Sequence, residues 1–203
     1  MPASFRVLTT VLLCVAASIA SAQTGAPVHA DVETIYRFQD GREVKVSGRY
    51  YRSTDGKVRE ESGSGSLITD IEARTMTMLN AERKQALVLE MPEPTLHLRR
   101  PASPPIEPFA RGAHEGRAVE KTLRTAADGS KQEIWFAKDL GAVVYSRIEA
   151  PGLTTVRVLR NVKVEEPPLS VFQIPAEYVV TRQTLPPERE QTPPAMAPKP
   201  DGR

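Results

Sequence analysis

Three histidines, one cysteine, two acidic pairs and a serine between glycines are the residues here that could do chemistry. The histidines are His29, His97 and His114. None lies within four residues of another, so no H-E-x-x-H or related zinc spacing occurs. Gly63-Ser64-Gly65 is a fragment of a nucleophile elbow, but G-x-S-x-G is not matched and no helical pattern follows. Glu60-Glu61 and Glu165-Glu166 are adjacent carboxylates. Adjacent residues of a strand point to opposite faces, so neither pair can share a glycosidase-type site. The sequence therefore predicts no enzyme, no catalytic residue, no metal and no cofactor.

Cys14 sits inside an apolar run near the start of the chain. Arg6 supplies a short positive region, Val7 to Ala20 carries no charge, and Ala20-Ser21-Ala22 is a small-x-small site. That pattern predicts a cleaved secretory signal over residues 1–22 and a destination in the periplasm or beyond it. The run is too short to span the ~30 Å of bilayer hydrocarbon, so no transmembrane anchor is expected after cleavage. Leu12-Leu13 precedes Cys14, where a lipoprotein site wants a small residue, so lipidation is not expected. Cleavage after Ala22 would leave no cysteine, hence no disulfide and no thiol chemistry. The whole chain has 27 Lys+Arg and 25 Asp+Glu; without Arg6 the net charge is +1. No block of five like charges occurs, so a nucleic-acid partner is not expected.

The elements that would position any site read as strands. Val44, Val46, Gly48 and Tyr50 alternate with Lys45, Ser47, Arg49 and Tyr51. Val156, Val158, Val162 and Val164 form a similar row, interrupted only by Arg160. A period of two is what a sheet packed on one face requires. Leu67–Ile71, Thr75–Leu79 and Ala86–Leu89 are shorter strand candidates. Asp40-Gly41, Asp55-Gly56 and Asp128-Gly129 fall between strand-like runs, as tight hairpins demand. About ten strands in antiparallel meander order are expected, with little helix.

Residues 92–109 interrupt the pattern. Six prolines fall between Pro92 and Pro108. Proline cannot donate to a ladder, so this is a crossover and not a central strand. It still carries Leu96, Leu98, Ile106 and Phe109. Residues 181–203 hold six prolines and few large apolar residues, the composition of a disordered tail. Several strands carry large side chains on both faces. Met76 and Met78 share one face; Ile134 and Phe136 oppose Trp135; Val143 and Tyr145 oppose Val144 and Ile148. One face would be core. The other would be a ligand-filled concavity or a surface covered by the proline crossover.

Two stretches carry a family resemblance. The first is Gly48 to Met91, where Lys57-Val58-Arg59-Glu60 is followed by Ile68-Thr69-Asp70 and then short strands. The second is Glu133-Ile134-Trp135-Phe136-Ala137-Lys138-Asp139-Leu140-Gly141 with Phe172-Gln173-Ile174-Pro175-Ala176-Glu177-Tyr178. Together they resemble bacterial exported proteins of the LolA-like, outer-membrane lipoprotein-sorting superfamily. The resemblance implies a mainly β fold, a curved antiparallel half-barrel with an apolar concave face. Residues 31–180 would be that domain, behind a mature N-terminal arm of residues 23–30. The carriers shield acyl chains on the concave face. By that likeness the ligand-binding candidates are Met76, Met78, Leu96, Leu98, Phe109, Trp135 and Tyr145. The expected partner is a lipid or lipoprotein ligand. The alternative is an envelope protein met by a scaffold or sensory module that has no small-molecule ligand. Asp139-Leu140-Gly141 also fits a plain turn, with Gly141 at positive φ. Phe172, Ile174 and Tyr178 also fit a segment plugging the end of the sheet.

Overall fold

The computed structural model describes residues 25–91, 108–126 and 128–184. The expected signal over residues 1–22, Cys14, His97, Leu96, Leu98 and the chain after Thr184 lie outside them. The described strands are β1 (Val28–Phe38), β2 (Glu43–Arg52), β3 (Val58–Ser62), β4 (Gly65–Asp70), β5 (Thr75–Asn80) and β6 (Gln85–Glu90). They continue with β7 (Ala110–His114), β8 (Arg117–Thr125), β9 (Lys131–Ala137), β10 (Ala142–Ala150), β11 (Leu153–Lys163) and β12 (Val179–Thr184). One 3₁₀ turn, Leu169–Phe172, precedes β12. No helix among the described residues is long and apolar enough to cross a membrane.

Turn chemistry sets the local order. Gly41, Gly56 and Gly129 take φ of 83°, 82° and 81°, the positive values that each Asp-Gly hairpin needs. Gly141 likewise takes +60° in the Asp139-Leu140-Gly141 turn. The β7–β8 turn has no Asp-Gly; Glu115 and Gly116 supply φ of 48° and 79° instead.

All twelve strands form one sheet, in the order β12-β6-β5-β4-β3-β2-β1-β11-β10-β9-β8-β7. Two meanders meet where β1 pairs antiparallel with β11. Every neighbour pairing is antiparallel except β12 on β6, which is parallel. β6 and β7 lie on opposite flanks of the sheet. The sheet is thus the mainly β, curved, open half-barrel that the sequence predicts. It has twelve strands rather than about ten. β1 begins at Val28, inside the expected arm, and β12 carries residues 181–184 of the expected tail into the sheet.

The curvature can be read from one ion pair. Arg157 of β11 donates to Glu60 of β3 through Nε at 3.1 Å and Nη2 at 2.6 Å. β1 and β2 lie between those strands, so on a flat sheet they would be roughly 14 Å apart at about 4.8 Å per strand. The face carrying Glu60 and Arg157 is therefore concave here. Val28, Ala30, Val32, Tyr50 and Leu159 of the main core are buried on this same face. Burial pushes the Tyr50 hydroxyl above the ordinary tyrosine range, while Arg52 and Arg157 pull it back. A raised folded-state pKa stabilises the fold below the unfolded value of about 10 and loses that contribution above it. Ultraviolet titration should then show one tyrosine that ionises only as the fold is lost in alkali.

Two bulges break the expected faces. Asn161 takes φ of 52°, and the β1–β11 register shifts between His29 and Asp31. Val162 therefore packs on the main core, away from the row of Val156 and Val158 with which the sequence groups it. In β10 the register shifts between Val143 and Tyr145, which pair with Phe136 and Trp135 respectively. Phe136 and Trp135 are adjacent, so Val143 and Tyr145 stand on opposite faces, contrary to the simple alternation.

Candidate functional site

Cross-strand partners in an antiparallel ladder share a face. From Tyr50 that rule traces one concave row: Tyr50 opposes Glu60, Glu60 opposes Leu67, Leu67 opposes Met78, and Met78 opposes Leu87. One step along, Met76 opposes Leu89. Leu67, Met76, Met78, Leu87 and Leu89 are all half-buried. They make a continuous apolar surface over β4, β5 and β6, beside the Arg157–Glu60 pair. The opposite face of the same strands is closed. Ile68, Leu79 and Ala86 form a second core there, covered by Phe172, Ile174 and Tyr178. Arg59 ties that cover down, donating from Nη1 to the Val171 carbonyl at 2.7 Å. The closing segment thus lies on a face of the sheet rather than plugging its end.

Of the residues proposed from sequence, the structure brings Met76 and Met78 together on the concave surface. Trp135 and Tyr145 are elsewhere. Tyr145 opposes Val158, and Val158 opposes Glu33, one residue out of phase with the concave Val32–Leu159 pair. The two aromatic rings follow that phase, away from Met76 and Met78, and are tilted against each other with centroids 4.4 Å apart, Trp135 also packing on the main core. Lys121 Nζ lies 3.8 Å from the Trp135 ring centroid, and Trp135 Nε1 donates to Glu133 Oε1 at 2.7 Å. Phe109 precedes β7 and is 60% exposed. Leu96 and Leu98 fall outside the described residues. The sequence reading missed Leu67, Leu87 and Leu89, which join Met76 and Met78 only once the β4–β5–β6 register is known.

The two motif stretches have structural work. Arg52 is fully buried. Its Nη1 donates to the Gly141 carbonyl at 2.8 Å, its Nη2 and Nε to the Ala26 carbonyl at 2.7 and 3.1 Å, and its Nη2 also to the Leu140 carbonyl. Asp139 accepts from Arg117 Nη1 at 2.6 Å. The Asp139-Leu140-Gly141 turn is thus anchored from two sides. Among the described residues no three His, Cys, Asp or Glu side chains converge so as to hold a metal ion.

No protein-family model matches the chain, and no curated protein matches its sequence. Solved structures do. An uncharacterised conserved protein from Thermus thermophilus superposes with a TM-score of 0.54 at 11% identity, over 86% of this chain and 99% of that one. A LolA superfamily protein from Nitrosomonas europaea matches with a TM-score of 0.40 at 9% identity, over 76% and 95%. The Pseudomonas aeruginosa MucA/MucB complex matches with a TM-score of 0.44 at 14% identity, over 82% of this chain and 62% of that one. The chain spans only 32% of another matched structure, PNGF-II. The structures that this chain is similar to thus include the LolA superfamily, and the likeness is one of fold.

Proposed function

We propose that the chain is a non-enzymatic periplasmic protein that binds a hydrophobic or amphiphilic molecule, such as a lipid or a lipoprotein acyl group, on its concave face. The half-buried apolar surface of Leu67, Met76, Met78, Leu87 and Leu89 carries this reading. Five apolar side chains on a concavity offer burial to an acyl chain, and methionine adapts to an irregular ligand. The family resemblance of Gly48 to Met91 supports the same reading, since those residues supply β3 to β6. Delipidated protein should bind a fluorescent fatty acid saturably. Met76→Lys and Met78→Lys should each weaken binding about tenfold or more, because each removes roughly 1.5–3 kcal/mol of apolar burial and brings a charge to the surface. Wild-type protein that takes up no probe, or variants that bind it equally well, would sink the reading.

A second reading is an envelope interaction or sensory scaffold. Phe109, exposed where the chain enters β7, favours it. Phe109→Ser should then abolish cross-linking to an envelope partner while leaving fatty-acid binding intact.

A further inference from the structure

A cavity of about 290 Å³ opens on the face opposite the apolar surface. His29 and Asp31 of β1, Arg49 and Tyr51 of β2, and Asn161 and Lys163 of β11 line it. Register brings them together: His29 opposes both Tyr51 and Lys163, and Asp31 opposes Arg49. The Asn161 bulge inserts an extra residue at this point, and such a bulge re-aims its neighbours. It is held in place by Glu115, whose Oε2 accepts from the Asn161 backbone N–H at 2.9 Å.

The charges in this cavity are distributed in an unusual way. Asp31 stands across from Arg49, yet its Oδ2 accepts from Asn161 Nδ2 at 2.7 Å. Glu165, nearby, is taken by His29, whose Nε2 lies 3.1 Å from its Oε1. Arg49 Nη1 donates to the Tyr51 hydroxyl at 3.4 Å. Among the described residues neither Arg49 nor Lys163 has a carboxylate within ion-pair distance, whereas Arg37, Arg59, Arg157 and Arg160 each have one. Asp31 is hydrogen-bonded to Asn161 and Glu165 to His29, while Glu61, whose charge also reaches Arg49, is paired with Arg59, so Arg49 and Lys163 line the cavity without a direct carboxylate contact.

We propose that this cavity binds a phosphate group, with Arg49 and Lys163 as its charged ligands. The guanidinium offers a planar pair of donors to two phosphate oxygens, and the ammonium a compact charge to a third. Asp31 and the Asn161 amide oxygen can accept from hydroxyls on whatever carries the phosphate. The phosphate can belong to a free small molecule or to a lipid headgroup, and the chemistry at the cavity is the same.

Titration calorimetry of the full chain with inorganic phosphate and with glycerol phosphate tests the free source. Flotation with phosphatidylcholine vesicles, with and without phosphatidic acid, tests the headgroup source. We expect saturable binding to at least one of these probes. Arg49→Gln and Lys163→Gln should each weaken it about tenfold, and the double variant should remove it. Arg49 and Lys163 are exposed, so the variants should keep the wild-type unfolding midpoint. Arg124→Gln, at another exposed arginine, should bind as wild type. Binding of the soluble probes assigns the site to a free phosphate, and binding of phosphatidic acid vesicles alone assigns it to a headgroup. No saturable binding of any probe, binding that the double variant retains, or an equal loss in Arg124→Gln would overturn the proposal. Fatty-acid binding on the concave face should be unchanged in these variants, so the two sites fail or stand separately.

Discussion

Replacing Gly48 by alanine is expected to cost the protein at least about 4 kcal/mol, a large share of the stability of an ordinary domain. A β-carbon at this position would overlap the Glu61 carbonyl oxygen and crowd the Val32 side chain. The first obstacle is backbone of the next strand and has no rotamer to yield. Gly48 lies where β2 stops pairing only with β1 and begins, from Tyr50, to pair with β3 as well. β3 folds in over the concave side at that point, and glycine is the residue that lets one backbone approach another at a barrel corner. Gly63→Ala is the control. Gly63 has φ of 57° with nothing near its missing β-carbon, so only the left-handed backbone is penalised, about 1–2 kcal/mol. Urea unfolding of both variants reads the difference. A Gly48→Ala protein as stable as Gly63→Ala would mean that β3 does not cross so closely.

Gly48 also marks how far the sequence could be read. Its place in the row Val44, Val46, Gly48, Tyr50 gave the correct strand and the correct inward parity. Nothing in that row says which backbone comes close, because the partner strand lies beyond an intervening turn. The Asp-Gly hairpins were legible for the opposite reason: their cause is local, in the φ of a single glycine. Strands β4, β5 and β6 were legible together because no bulge disturbs them, so Met76 and Met78 fell on the predicted common face. Leu87 and Leu89 required the register with β5, and a slip of one residue would have sent both to the other side. The bulge between Val143 and Tyr145 parts Tyr145 from Val143, with which simple alternation groups it. A bulge adds one residue without a sequence signal that alternation can detect. Asn161 did offer a signal. The apolar row of β11 breaks at Arg160, and asparagine tolerates positive φ better than most residues. A break followed by asparagine is a bulge signature, and it forms one wall of the charged cavity.

Arg52 is a charged residue at an inward position in β2, which the alternation did not single out, and its replacement should have the second large effect. Arg52→Ala is expected to lose about 3–5 kcal/mol, because the carbonyls of Ala26, Leu140 and Gly141 lose a buried donor together and a cavity replaces the side chain. With a urea m-value of about 2 kcal/mol/M, the midpoint should fall by roughly 2 M. Arg52→Lys should recover only part of the loss. Lysine has three donors on one nitrogen and cannot reach carbonyls on two sides of a planar fork. Arg52→Leu fills space but donates nothing, so it should stay near the alanine value, which separates the hydrogen bonds from the packing. The readout beyond stability is local: backbone amides around Leu140 and Gly141 should exchange faster in all three variants, since Arg52 joins that turn to β2 and to the chain before β1. A loss below about 1 kcal/mol in Arg52→Ala would show that the turn holds itself. The resemblance of the Trp135–Gly141 stretch to exported half-barrel proteins would then need a cause other than this anchor. If the loss is as large as expected, the Leu140-Gly141 end of that stretch has a structural cause in the Arg52 anchor.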